Sequence, residues 1–272
     1  LINETGKTLR EALRLDGNRI NRLKQLNGNM LTLKWLQYEE RAGIKISQDS
    51  LQYLSDKKIP ITDCESMLKE LKSVVEPMGH EVYNCAMTVP LVDRDVPEAY
   101  TKENPRLTYL HLGIMAALLL NSGAADFVVT GCGTGQGALM SLNMYPGVVC
   151  GYCIEPTDAY LFLQINNGNA LSLPYAKGFG WGADLNLNTI FTRAFGSPKG
   201  MGYPAENKAS QNRNASLLFE MKGRVAKPLI QALESIDPQL VKECMIPRFL
   251  ECFYAGCTDA ELKAFVDKVV AG

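Results

Sequence analysis

Between residues 5 and 76 apolar side chains recur three and four positions apart, as in Leu13, Ile20, Leu23, Leu26 and again in Leu68, Leu71, Val74, Val75, with Lys, Arg, Gln and Glu between them. That period predicts amphipathic helices. Breaks fall at Asn27-Gly28-Asn29 and Lys57-Lys58-Ile59-Pro60, and Thr62-Asp63-Cys64-Glu65 has the chemistry to cap a helix that stops before Pro77-Met78-Gly79. From His80 the pattern changes. Short β-rich apolar runs (His80 to Asn84, Asp126 to Thr130, Val148 to Ile154, Ala170 to Pro174) alternate with helical ones (Pro105 to Asn121, Gly137 to Met144, Thr157 to Asn167, Ala183 to Ala194). Such alternation predicts an α/β fold with a parallel, doubly wound sheet. Residues 205 to 272 return to helical spacing, interrupted at Pro228, Pro238 and around Gly256. Leu1-Ile2-Asn3-Glu4 reads as the end of a first strand, and the roughly 75 residues to the next one, far beyond a usual connection, would then be an inserted helical subdomain. The expected organisation is a mostly helical segment 1–62, an α/β core 63–204 and a helical extension 205–272 that packs on the core or on a partner subunit.

Composition narrows this picture. A chain of 272 residues with 46% hydrophobic side chains can bury a full core without staples. Its net charge of −1 gives no global attraction to nucleic acid or an acidic membrane. The longest apolar candidate, Gly113 to Leu120, falls short of a membrane span, and the first residues lack the basic-then-apolar order of a signal peptide. The expectation is a cytoplasmic protein with no nucleic-acid or membrane partner. Eight cysteines are too sparse for a disulfide scaffold and read as reduced thiols. Cys150 and Cys153 have metal or redox spacing, but in a strand they would point to opposite faces. With only two histidines, His80 and His111, no metal site or metal cofactor is expected.

Candidate chemistry concentrates in Thr130-Gly131-Cys132-Gly133-Thr134-Gly135-Gln136-Gly137, a Gly-rich turn that follows the strand-like Asp126 to Val129 and precedes the helix-forming Ala138 to Asn143. The first turn of a helix offers unpaired N–H groups and the positive end of a dipole, so the turn is an anion site with a thiol built into it. The same field favours a thiolate. In a parallel sheet such a turn lies at the carboxyl ends of the strands, where ligands bind. The G-x-G-x-G spacing is not the dinucleotide fingerprint, and Glu155, near the offset of a ribose-binding acid, opens a helix instead.

Four motifs in register carry a resemblance. Gly79-His80-Glu81-Val82, the run Gly131 to Gly137 with Asn143 and Pro146-Gly147, Glu155-Pro156-Thr157-Asp158-Ala159, and Asn166-Asn167-Gly168-Asn169 make residues 65 to 215 resemble the type B ribose-5-phosphate isomerase family, which includes the galactose-6-phosphate isomerase subunits. The resemblance implies a Rossmann-like three-layer α/β/α fold with a mostly parallel five-stranded sheet. It implies a homodimer with active sites between subunits and metal-independent aldose–ketose isomerisation of a small sugar phosphate, without a cofactor. On it, Cys132 matches the catalytic cysteine that moves the proton between C2 and C1, and Thr134 matches a position assisting transfer at a sugar hydroxyl. The N–H groups of Gly133, Gly135 and Gly137 would hold the enediolate oxygen. Asn166 matches a sugar-contacting asparagine and Tyr109 lies near a substrate-contacting tyrosine. Lys199, Lys208 and Arg213 are the candidates for the phosphate, with Arg offering a fork and Lys a point charge.

The chain also departs from the family pattern. It contains no Asp-His pair, and Ile165 stands where a histidine normally precedes the first asparagine. Both missing histidines are linked in the family to ring opening or phosphate grip. The expected substrate is therefore one needing little or no ring opening, such as a tetrose 4-phosphate; alternatively Glu155 or the N-terminal segment replaces the histidine. A sugar-phosphate-binding protein without turnover is the competing reading. His111 can face core or site, and Trp181 can wall the pocket or pack in the core.

Overall fold

The computed structural model describes residues 64–85, 105–174 and 182–272. The expected helical segment 1–62 and Trp181 lie outside the described residues. Where sequence alternates, the chain forms strands and helices in turn: α1 (Cys64–Val75), α2 (Tyr109–Asn121), β1 (Val128–Cys132), α3 (Gln136–Asn143), β2 (Cys150–Tyr152), α4 (Pro156–Leu161) running into a π-helical turn (Phe162–Asn166), β3 (Ala170–Pro174) and α5 (Ala183–Phe195). The helical remainder supplies α6 (Lys208–Val225), α7 (Leu229–Glu234), α8 (Pro238–Glu243), α9 (Pro247–Gly256) and α10 (Ala260–Ala271). Its breaks fall where expected, with Pro228 before α7, Pro238 opening α8 and Gly256 closing α9.

The three strands are parallel in the order β1-β3-β2, with Val128 opposite Ala170 and Cys132 opposite Pro174. Every residue of the central strand β3 is buried, as a strand covered on both faces requires. Adjacent strand residues face opposite layers. Ala170 and Cys150 join α2, α3 and the C-terminal helices, while Leu171, Leu173 and Cys153 join α1, α4 and α5. Cys150 and Cys153 thus sit on opposite faces of the sheet, as their spacing in a strand predicts.

The five strands expected reduce to three among the described residues. His80 to Asn84, read as β-rich, carries no regular structure. A cavity of about 370 Å³ separates that segment from β1, lined by Met67, Leu71, Val82, Leu119, Val129 and Phe195. The alternation of apolar residues there fits an extended chain but does not by itself supply a ladder partner.

Helix α2 is apolar all round, with Ile114, Met115, Ala116, Ala117, Leu118 and Leu119 buried. A helix of that kind must be covered on every side. One side meets the sheet and α3; the other is covered by Val241, Ile246, Phe249 and Phe253 of the C-terminal helices. At roughly 1.5–3 kcal/mol for each large side chain fully buried, this contact is a major part of what holds the extension in place. Helix α6 differs from all of these, because none of its side chains is buried.

Candidate active site

β1 ends at Cys132, and the chain leaves the sheet through Gly133 and Thr134 into α3. Gly135 caps that helix in a left-handed conformation, φ 73°. A Cβ on it would stand 2.6 Å from the Tyr152 ring and 3.0 Å from the Pro174 nitrogen, so conformation and space both demand glycine. The turn is closed by its own bonds. The Gly135 N–H donates to the Cys132 carbonyl at 3.0 Å, and the Gly135 carbonyl accepts from the Leu139 N–H at 3.1 Å. Two strands pin it from outside: the Ser172 hydroxyl donates to the Gly135 carbonyl at 2.7 Å, and the Tyr152 hydroxyl donates to the Thr134 carbonyl at 3.1 Å.

This geometry corrects one expectation. Of the three glycine amides assigned to an anion, that of Gly135 is taken up by the turn, while Gly133 is half-buried beside Cys132 and Gly137 lies in the first turn of α3. The N–H groups of Gly137 and Ala138 have no acceptor within the helix, because the first turn of any helix lacks one. The Gln136 N–H is directed to Thr134 Oγ1 at 3.4 Å. Tyr109, the first residue of α2, reaches the same place: a Cβ on Gly137 would be 3.0 Å from its ring, which therefore rests against that glycine. The residue is 47% exposed, which leaves it accessible to a ligand.

Among the described cysteines, Cys85, Cys132 and Cys257 are half-buried and the other four are buried. Cys150 and Cys153 are buried, and burial pushes both thiols up to about 12. Burial pushes Cys244 up as well. Buried thiols of this kind are poor bases and nucleophiles. Cys132 is half-buried at the carboxyl edge of the sheet, next to Thr134, which is exposed.

Asn166, Lys199 and Arg213 lie elsewhere. β3 enters the sheet at Ala170 and leaves at Pro174 beside Cys132, so Asn166, which closes the π-helical turn before β3, belongs to the amino edge. One strand length, about 13 Å, separates the two edges. At that second edge Asn167 is left-handed, φ 53°, and the Lys199 ammonium donates to the Gly168 carbonyl at 3.4 Å. Buried Gln164 fastens the loop 197–202 to the turn by donating to Ser197 Oγ and the Pro198 carbonyl and accepting from the Met201 N–H. Asn212 donates to the Gly200 carbonyl at 2.9 Å, and its Oδ1 atom is buried with no partner. Arg213 follows it on the exposed side of α6. The structure thus gathers Asn166, Lys199 and the Asn212-Arg213 pair into one neighbourhood, apart from Cys132.

Two motif asparagines have structural tasks. Asn143 pairs with both backbone groups of Cys150, and Asn169 bonds the Val149 N–H and the Gly147 carbonyl. His111 is buried rather than open to the site, and pairs with Glu243 at 2.9 Å. Sequence reading missed Ser172, Tyr152, Gln164 and Asn212. Ser172 had a signal, a hydroxyl within the apolar run Ala170 to Pro174; the others had none, since their partners are 18 to 37 residues away or orphaned.

A family model described as Ribose/Galactose Isomerase matches residues 65–194, and one described as Ribose-5-phosphate isomerase matches residues 225–269. The curated ribose-5-phosphate isomerase B of Escherichia coli (strain K12) is 33% identical over 84 residues, which are 30% of this chain and 56% of that protein. The chain thus spans little more than half the length of that relative. The crystal structure of a ribose-5-phosphate isomerase from Vibrio parahaemolyticus is 50% identical, covers 76% of this chain and 92% of its own, and superposes with a TM-score of 0.68. A 4-deoxy-L-threo-5-hexosulose-uronate ketol-isomerase complexed with a tartrate is 44% identical, with coverage of 76% and 93% and a TM-score of 0.69. Matching models over core and extension, together with half-identical sequence over nearly the whole of a solved relative, make this chain a member of the ribose/galactose isomerase family.

Proposed function

We propose that the protein is a metal-independent aldose–ketose isomerase acting on a small sugar phosphate through an enediolate, with Cys132 as the base. The observation that carries this reading is the half-buried Cys132 thiol at the carboxyl edge of a parallel sheet, beside a turn that offers N–H groups to an anion. Cys132 as thiolate takes the C2 proton, leaving an enediolate with its charge on O1; the O2 hydroxyl proton passes to O1 with the help of Thr134, and the thiol returns its proton to C1, so that the carbonyl stands at C2. The amides of Gly133 and Gly137 hold the developing oxyanion, Thr134 serves the neighbouring hydroxyl, and the Tyr109 ring flanks the sugar.

The reading includes a homodimer. Asn166, Lys199 and Arg213 sit at the edge away from Cys132, so one copy's second edge completes the other copy's site. Helix α6 supports this, because Leu217, Leu218, Phe219, Met221 and Val225 are all exposed on it, more apolar surface than an isolated chain ordinarily leaves uncovered on one helix. His111 is occupied by Glu243 and Ile165 replaces a histidine, which favours a substrate needing little ring opening. Phosphorylated sugars are metabolites of the cell interior, so the reading carries a cytoplasmic location.

A second reading rests on the 44% identity to a uronate ketol-isomerase. It keeps the enediolate chemistry and replaces the phosphate by a carboxylate. Deuterium incorporation from D2O into a panel of three- to six-carbon sugar phosphates and keto-uronates tests both. Exchange on one compound that disappears in Cys132→Ala, a loss of about 10²–10⁴-fold, is expected. Binding of a sugar phosphate without exchange on any compound would instead establish a non-catalytic binder.

A further inference from the structure

The covering of α2 by the C-terminal helices is largely apolar and carries a charged side chain at its amino end. His111 Nε2 lies 2.9 Å from Glu243 Oε2, and the imidazole side chain is only 5% exposed. Its other nitrogen, Nδ1, accepts from the Thr108 N–H at 3.0 Å and lies 2.9 Å from Thr108 Oγ1. A backbone N–H can only donate, so Nδ1 carries no hydrogen and the ring hydrogen sits on Nε2, aimed at Glu243. The carboxylate responds to this donor. The bond from His111, and then that from Gln239, hold Glu243 below the usual carboxylate range. A second link runs beside the first, from the Cys244 thiol to the His111 carbonyl at 3.7 Å.

The consequence reaches the site through three residues of sequence. Thr108 and His111 form the reciprocal capping box of α2, and Tyr109 stands between them as the first helical residue, its ring against Gly137. An imidazole without a partner on Nε2 is free to present either ring edge and either tautomer to Thr108; a carboxylate accepting from Nε2 selects one. We propose that Glu243 is a positioning residue: by orienting His111 it holds the first turn of α2, and with it the Tyr109 ring, against Gly137 beside the Cys132 turn. The C-terminal extension is then part of the site's support as well as a cover for the core. Only the kinetic consequence rests on the isomerase reading.

Two readouts test it. The Gly137 amide resonance of 15N-glycine-labelled protein senses the Tyr109 ring current without any substrate. Glu243→Ala is expected to move that resonance toward its position in Tyr109→Ala, while Glu243→Gln, whose amide oxygen still accepts from Nε2, stays near the parent. An unmoved Gly137 resonance in folded Glu243→Ala overturns the proposal. Should Glu243→Ala not fold, Glu243→Asp, which withdraws the carboxylate by one methylene, carries the same test with the same outcomes. In kinetics, Glu243→Ala is expected to lower kcat/KM by about tenfold and to have no further effect in a Tyr109→Ala background. Losses that multiply across the two substitutions would show that Glu243 acts otherwise. A parent without isomerase activity would sink the isomerase reading alone and leave the Gly137 resonance to decide this one.

Discussion

The two edges of the sheet are built on different plans. At the carboxyl edge the Cys132 turn closes on itself through Gly135 and is pinned by Ser172 and Tyr152, so a single chain holds it in one shape. At the amino edge Asn166 and Arg213 are exposed, Asn167 is left-handed, and Asn212 keeps a buried oxygen without a donor. Buried polar atoms are ordinarily satisfied. On the proposed reading, the first edge carries the chemistry and the second carries recognition groups that a second copy completes. A proton-transferring group must be fixed before substrate arrives, whereas recognition groups can be completed by assembly.

The comparison is broken most severely by mixing variants. Cys132→Ala and Asn166→Ala, each purified as an inactive or crippled protein, should regain about a quarter of the parent activity when their subunits are exchanged, because half of the dimers then hold one intact site. Failure of the mixture to exceed the sum of its parts, with subunit exchange demonstrated by mass labelling, would place both groups in one copy's site or remove Asn166 from it. A smaller effect is expected from loosening the rigid edge. Ser172→Ala removes one of the two donors to the Gly135 carbonyl, which keeps the Leu139 N–H, at a cost of about 0.5–1.5 kcal/mol. Its kcat should fall about tenfold with KM little changed, read by steady-state kinetics; a changed KM with constant kcat would assign Ser172 to binding instead.

The smallest effect concerns the extension. Glu243 is held below its usual range by His111, so its folded-state pKa is depressed relative to the unfolded chain. The stability it contributes is full above its usual value near 4.5 and is lost as pH falls through the depressed folded value. The difference in Tm between parent and Glu243→Gln should accordingly be constant near neutrality and shrink in acid. The carboxylate is 43% exposed, so solvent screening keeps that difference small. A difference that grows on acidification would contradict the pairing.

Periodicity and punctuation carried much of the fold to the reader of the sequence. The alternation after His80, the Gly-rich turn ahead of α3, the capping position of Glu155 and the prolines at the starts of α7 and α8 are local signals, and the chain obeys them because they act through backbone freedom and nearest neighbours. Burial, by contrast, is not local. His111 read as able to face core or site, and only the arrival of Glu243 from 132 residues away decides it. The Gly135 amide looked as free as those of its neighbours until the turn folded its N–H back on the Cys132 carbonyl. Cys132 itself was marked by its place in sequence, but the exposure that separates it from Cys150 and Cys153 comes from the layers that cover the other two. Sequence alone determined the order of the elements and marked the residues proposed for the chemistry. Tertiary structure alone decided that these residues fall on two opposite edges, because a parallel sheet sends the end of every strand to one side and the approach to every strand to the other.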